Sequence, residues 1–260
     1  MDYGLKNRVA LVTGGSEGIG KATAGLLAGE GARVAICARR PDVLEAAAED
    51  IRRDTEGEVL AVPTDLRDAG SVDNLIATIN GAWGGVDVLV NNAGVSSAMP
   101  FEQLTDDALL ADMQLKLFGW LRTIRGVLPH MKEQRWGRII NMTAIAAKAP
   151  AANSYPSSVS RAAGIALTKA LSKELAPHNI LVNTVLIGLI KAGQHEHRWE
   201  ANPNGQTLEE RYEEMGKNVP LGRVGESEEA ANLITFLASE RASFITGVAI
   251  NMDGGVSPVV

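Results

Sequence analysis

Thr13-Gly14-Gly15-Ser16-Glu17-Gly18-Ile19-Gly20 follows the apolar run Val9-Ala10-Leu11-Val12 and leads into Lys21-Ala22-Thr23-Ala24-Gly25-Leu26-Leu27-Ala28. The run before it reads as a short buried strand, and the small and apolar residues after it suit a helix packed closely on a sheet. Strand, glycine turn and helix in that order present free backbone N–H groups and the positive end of a helix dipole to an anion. Glycine belongs in such a turn where the main chain must take angles closed to other residues and approach a ligand closely. The alternative is an ordinary strand-to-helix turn. With both flanking elements present, the reading is a dinucleotide pyrophosphate site.

Outward from this unit, apolar runs recur at Val9–Val12, Val34–Cys37, Val59–Val62, Val86–Val90, Arg138–Met142, Ile180–Leu186 and Val248–Asn251, with helix-like segments between them. Continuous rather than alternating apolar runs indicate strands buried on both faces, and their alternation with helices indicates a parallel α/β sheet, doubly wound in the Rossmann manner. No proline-rich or charge-rich linker divides the chain, so residues 1–260 are expected to form a single domain. Ligands of such sheets bind at the carboxyl ends of the strands, and candidate residues are sought there.

Composition narrows the function. A net charge of -6 over 260 residues argues against a nucleic-acid partner, which needs a basic patch. One cysteine, Cys37, excludes an internal disulfide framework and a cysteine metal cluster, and it favours a reducing compartment. No apolar run approaches membrane-spanning length, and Met1-Asp2-Tyr3-Gly4-Leu5 lacks the pattern of a leader. The expectation is a cytoplasmic protein with a small-molecule substrate, no membrane and no metal.

The second strand ends at Ala38-Arg39-Arg40. An acidic residue near this point binds an adenosine ribose, whereas an arginine accommodates a 2′-phosphate, so Arg39 and Arg40 lean toward NADP(H) over NAD(H). Glu17 complicates this, because a carboxylate near the phosphate would repel it. After the third strand, Asp65-Leu66 places a carboxylate that either accepts from the adenine amino group or caps the helix starting near Ala69. After the fourth, Asn91-Asn92-Ala93-Gly94 makes a tight polar turn able to fix the main chain beside a cofactor.

Together Thr13-Gly14 with Gly18-Ile19-Gly20, Asn91-Asn92-Ala93-Gly94, Pro220-Leu221-Gly222-Arg223-Val224-Gly225, Thr246-Gly247 and Asp253-Gly254-Gly255 resemble the short-chain dehydrogenase/reductase family over nearly the whole chain. The resemblance implies NAD(P) binding by Gly14, Ser16, Glu17, Gly18, Ile19, Gly20, Arg39, Arg40, Asp65, Leu66, Asn92, Ala93, Gly94, Arg161 and Gly188. It also implies a homotetramer or homodimer built on helices around Leu109–Met131 and Ala162–Leu175.

The chain departs from that family at its catalytic positions. Where members usually carry Asn, Ser, Tyr and Lys, alignment on the neighbouring motifs puts Lys116, Ala144, Ser157 and Arg161. Tyr155 is the nearest phenol, but it stands two residues from the expected register and just before Pro156, outside the helix and free to swing in. The usual Pro-Gly and later Thr become Ile187-Gly188 and Ala192. The expected catalytic set is therefore Lys116, Ser157, Arg161 and Tyr155, with the plainer alternative that Lys116 and Arg161 reach solvent or pair with Asp112 and Glu174.

Residues 189–218 are polar and read as a lid over the substrate. His195 and His197 within it are read as solvated lid residues rather than metal ligands, and His130 and His178 as surface residues at helix ends. The functional reading is an NADP(H)-dependent oxidoreductase for a small carbonyl or alcohol. The alternatives are a non-redox lyase or aldolase on the same fold, or an inactive nucleotide-binding homologue.

Overall fold

The computed structural model describes residues 2–260. The strands are β1 (Val9–Thr13), β2 (Arg33–Ala38), β3 (Val59–Pro63), β4 (Val88–Asn91), β5 (Ala98–Met99), β6 (Gly137–Ala144), β7 (Tyr155–Pro156), β8 (Ile180–Ile187) and β9 (Ala249–Met252). The helices are α1 (Gly18–Gly29), α2 (Pro41–Thr55), α3 (Ala69–Trp83), α4 (Asp106–Met113), α5 (Gly119–Gln134), α6 (Ser157–Leu175), α7 (Gly193–Ala201), α8 (Leu208–Gly216) and α9 (Ser227–Ala238). A π-helical turn, Gln114–Phe118, joins α4 to α5.

Seven strands form one parallel sheet in the order β3-β2-β1-β4-β6-β8-β9. Each of the seven apolar runs of the sequence lies in or beside one of them. Side chains alternate across the sheet: Ala10 and Val12 of β1 join a core with α1, α2 and α9, while Val9 and Leu11 join a second core with α3 and α5. Both faces are thus covered, which is why the strands read as unbroken apolar runs.

The chain reverses its direction of sheet growth between β1 and β4. That switch point opens a crevice beyond the strand ends, into which the turns after β1 and β4 both project. The small antiparallel pair β5–β7 lies outside the main sheet, with Met99 opposite Tyr155. Its two-residue strands carry no periodic signal, and the sequence did not reveal them. Asp68, not Asp65, caps α3 by accepting from the Gly70 N–H at 2.9 Å.

Candidate active site

The turn after β1 and the turn after β4 are locked together by Thr13. Its hydroxyl accepts from the N–H groups of Asn92 and Ala93 at 2.9 and 3.0 Å, and the Asn92 amide donates back to the carbonyls of Thr13 and Gly14. Gly14 sits at φ +66°, and a Cβ there would come within 2.9 Å of the Ala93 Cα, so no side chain fits. α1 then begins at Gly18 with no side chain capping its first turn. Its leading N–H groups and positive dipole end face the crevice, as an anion site requires.

The crevice is a cleft of about 570 Å³. Its wall includes Gly14, Ser16, Glu17, Gly18 and Ile19 from the turn, Arg39 and Arg40 after β2, Asp65 and Leu66 after β3, Asn92, Ala93 and Gly94 after β4, and Arg161 from α6. Two of the expected residues do not line the cleft. Gly20 packs inward, where a Cβ would lie 2.1 Å from the Gly14 carbonyl oxygen, and Gly188 backs onto Asp253 rather than the cleft. Both glycines serve close packing behind the wall.

Glu17 does not stand as a bare negative charge. Its carboxylate meets Arg40 at 2.8 Å and the ring of His197 at 3.4 Å, so the glycine turn, the end of β2 and α7 are tied at one point. Arg39 has no ion-pair partner within 4 Å among the described residues and lies on the wall with its charge available. The Asp65 carboxylate is gripped by Arg67, which holds its pKa down to about 2. Cys37 lies buried under the same wall, its thiol pushed up to about 12 mainly by burial. His197, Gln194 and Gly193 also line the cleft; in the sequence His197 read as a solvated residue of the polar insertion, and neither Gln194 nor Gly193 stood out.

At the far end, Lys116 is 2% exposed. It does not reach solvent. Its Nζ donates to Asp112 Oδ1 at 2.5 Å and to Ser157 Oγ at 2.8 Å. Ser157 Oγ also accepts from the Ser97 N–H at 2.9 Å. Both of these partners are donor-only, so the two acceptor positions of the hydroxyl are filled and its own proton is left to donate. Burial, with the nearby Arg161 cation, pulls the Lys116 pKa down to about 8 against the opposing pull of Asp112. Neither Lys116 nor Ser157 lines the cleft itself; Lys116 passes behind Gly94, where a Cβ would lie 3.5 Å from Lys116 Cγ and 3.8 Å from an Arg161 guanidinium nitrogen. Arg161 donates to the Met142 carbonyl at 3.1 Å and makes no bond to Glu174.

Tyr155 lies in the short strand β7, outside α6. Its backbone pairs with Met99 in the β5–β7 ladder, and its ring stands edge-on to Phe101 at 5.7 Å. It does not join the Lys116–Ser157 cluster. His195 packs against Tyr212 while His197 turns to Glu17, so the two do not converge on one point. His130 differs from expectation: it lies within α5 and approaches Asp87 at 3.3 Å.

The family model described as enoyl-(acyl carrier protein) reductase matches residues 14–257. The chain belongs to the short-chain dehydrogenase/reductase family. Among relatives of this dehydrogenase/reductase, the 3-oxoacyl-[acyl-carrier-protein] reductase FabG of Aquifex aeolicus is 34% identical, over 98% of this chain and 100% of its own. L-Sorbose reductase from Gluconobacter frateurii, solved with NADPH and L-sorbose, superposes with a TM-score of 0.93 at 32% identity, covering 100% of both chains. A short chain oxidoreductase from Pseudomonas aeruginosa PAO1, containing an atypical catalytic center, superposes with a TM-score of 0.93 at 35% identity, covering 99% of this chain and 100% of that one. No helix among the described residues of this dehydrogenase/reductase is long and apolar enough to cross a membrane.

Proposed function

We propose that the protein is an NADP(H)-dependent reductase of small carbonyl compounds whose proton comes from Ser157, backed by Lys116. The observation that carries this is the Ser157 hydroxyl, which accepts from Lys116 Nζ and from the Ser97 N–H and so has only its proton to give.

The residues present suit the dinucleotide. The uncapped start of α1 and the side-chain-free turn at Gly14 would hold the pyrophosphate, and the unpaired Arg39 beside Arg40 would hold the 2′-phosphate. When bound, the dinucleotide supplies a hydride to the carbonyl carbon. As the carbonyl oxygen gains charge, Ser157 Oγ–H protonates it, and Lys116 Nζ–H returns a proton to Ser157. Carbonyl, hydride and proton give the alcohol, and neutral Lys116, itself out of reach of solvent, regains its proton through the Ser157 hydroxyl from water that enters once the alcohol leaves. A pKa of about 8 leaves Lys116 protonated at neutral pH yet acidic enough to give its proton up. Arg161 stays cationic, because a guanidinium does not deprotonate in this range, and it holds oxygen-rich groups at the cleft wall.

We also propose that residues 189–218 close over the substrate. α7 already touches both sides of the cleft: Gln194 accepts from the Ser96 N–H, and His197 meets Glu17. The exposed Leu110, Phe118 and Val159 on α4, the π turn and α6 suit a homo-oligomeric contact, to be checked by light scattering against the monomer mass of 27.5 kDa. A monomer at micromolar concentration sinks that part. A reducing, cytoplasmic setting accords with the single unpaired cysteine.

The test of function is nicotinamide absorbance with NADPH across a panel of small ketones and aldehydes, run on the unmodified protein, Ser157→Ala and Tyr155→Phe. Turnover lost in Ser157→Ala and kept in Tyr155→Phe supports the reading. The opposite pattern moves the proton donor to Tyr155. Conversion without absorbance change points to a non-redox enzyme, and NADPH binding without conversion to an inactive homologue.

A further inference from the structure

Asp112 is absent from every motif in the sequence, yet three donors from different segments converge on it. Lys116 Nζ and Ser97 Oγ donate to Oδ1 at 2.5 and 2.6 Å, and Ser160 Oγ donates to Oδ2 at 2.6 Å. Ser97 belongs to the loop after β4, Ser160 to α6, and Asp112 and Lys116 flank the passage from α4 into the π turn. The carboxylate side chain is 3% exposed. A carboxylate buried this deeply persists only when its oxygens are satisfied by hydrogen bonds and its charge is opposed. Here one lysine and two hydroxyls do both.

We propose that Asp112 is a positioning residue, which fixes the Lys116 ammonium against Ser157 Oγ and keeps the proton on it through neutral pH. This rests on the reading of Lys116 and Ser157 as the proton-supplying pair. The groups facing Lys116 divide cleanly. Burial expels its proton most strongly, Asp112 on α4 holds it, and Arg161 on α6 adds to the expulsion. Besides Arg161, the loop after β4 and α6 bring only the neutral Gly94, Ser97 and Ser157 to this point among the described residues. Remove the carboxylate and both remaining influences act in the same direction, so Lys116 becomes a neutral amine at pH 7. It then has no proton to return to Ser157. The i,i+4 spacing of Asp112 and Lys116 alone would give a mobile surface pair. It is Ser160 and Ser97, clamping both oxygens, that turn it into a fixed one.

The experiment follows Lys116 directly, through the NMR signal of carbon-13-labelled lysine Cε carbons, with the Lys116 resonance assigned by its loss in Lys116→Met. In the unmodified protein it titrates near pH 8. In Asp112→Asn the midpoint falls by more than about one pH unit, as expected when a buried cation loses its counter-charge. The alkaline limb of NADPH-driven carbonyl reduction falls with it, while NADPH binding by fluorescence titration is unchanged. A midpoint that stays in place in Asp112→Asn overturns the inference. Should Asp112→Asn fail to fold, Ser97→Ala/Ser160→Ala replaces it: stripping the competing donors makes the carboxylate pull harder on Lys116, and the midpoint rises. An unmoved midpoint there overturns the inference equally. The two readings fail separately. A shifted midpoint in a protein that reduces no carbonyl leaves Asp112 as positioned and removes the reductase, whereas carbonyl reduction with an unshifted midpoint keeps the reductase and removes the role of Asp112.

Discussion

At the glycine-turn end of the cleft Arg40 meets Glu17 at 2.8 Å, with side chains 55% and 36% exposed; behind Gly94, Lys116 meets Asp112 at 2.5 Å, with side chains 2% and 3% exposed. The pairs are chemically alike and physically opposite. Water screens the first, which contributes about 0–1 kcal/mol and can exchange partners at little cost. The second has lost its water, so its charges depend on each other and breaking it costs about 3–5 kcal/mol. An exchangeable pair suits a place where an incoming phosphate must compete for an arginine. A dry, fixed pair suits a place where one proton must be held at one atom.

The largest break in this comparison is Lys116→Met. It leaves Asp112 buried without a counter-charge, so unfolding in denaturant should show a loss of about 3–5 kcal/mol, most of it recovered by adding Asp112→Leu. Carbonyl turnover should fall about 10²–10⁴-fold, as for loss of a general acid, while NADPH still binds. Stability unchanged in Lys116→Met would mean the pair is as screened as the one at Arg40. At the other end Arg39→Asp should weaken NADPH by about 1.5–3 kcal/mol, roughly 10–150-fold, and leave NADH binding as it was. Equal NADH and NADPH affinity in the unmodified protein would remove the 2′-phosphate role.

The pH dependence sharpens the contrast further. Burial puts the Lys116 pKa at about 8, so the protonated form is lost as pH rises through that value. Reduction needs that proton and should fall by about tenfold per pH unit above 8, whereas alcohol oxidation needs the neutral amine and should rise over the same interval. Parallel profiles for the two directions would take Lys116 out of the chemistry. The smallest effect belongs to Glu17→Gln. Releasing Arg40 from a half-exposed partner should tighten NADPH by at most about 1 kcal/mol, read by titration. A larger gain would show Glu17 to be a true opponent of the phosphate.

The sheet was legible because strands covered on both faces write themselves as unbroken apolar runs, and the cofactor end because glycine spacing reflects a backbone constraint. Gly20 and Gly188, packed closely outside the lining of the cleft, show the limit of that signal, since glycine spacing alone does not tell which glycines face the cleft. Glu17 read as a complication because its pairing with Arg40 joins residues far apart in sequence. Lys116 stood out only through its place in the alignment, and its pairing with Asp112 entered as the plainer alternative, an ordinary helical pair of the kind found on surfaces. Nothing in their spacing reports that Ser97 and Ser160 arrive from elsewhere to bury them. Tyr155 read as mobile because Pro156 follows it. The β5–β7 ladder in which its backbone lies is too short to leave a periodic trace.

Cys37 has a practical consequence for anyone wishing to test whether residues 189–218 close over the cleft. With a pKa near 12 and almost no exposed surface, its thiol at neutral pH is thiolate only about once in 10⁵ molecules, and alkylating reagents act on the thiolate. A second cysteine placed on the exposed side of α7 would therefore take a fluorophore or spin label alone, with the native thiol left in position beneath the cleft. The protein comes with its background labelling already silenced.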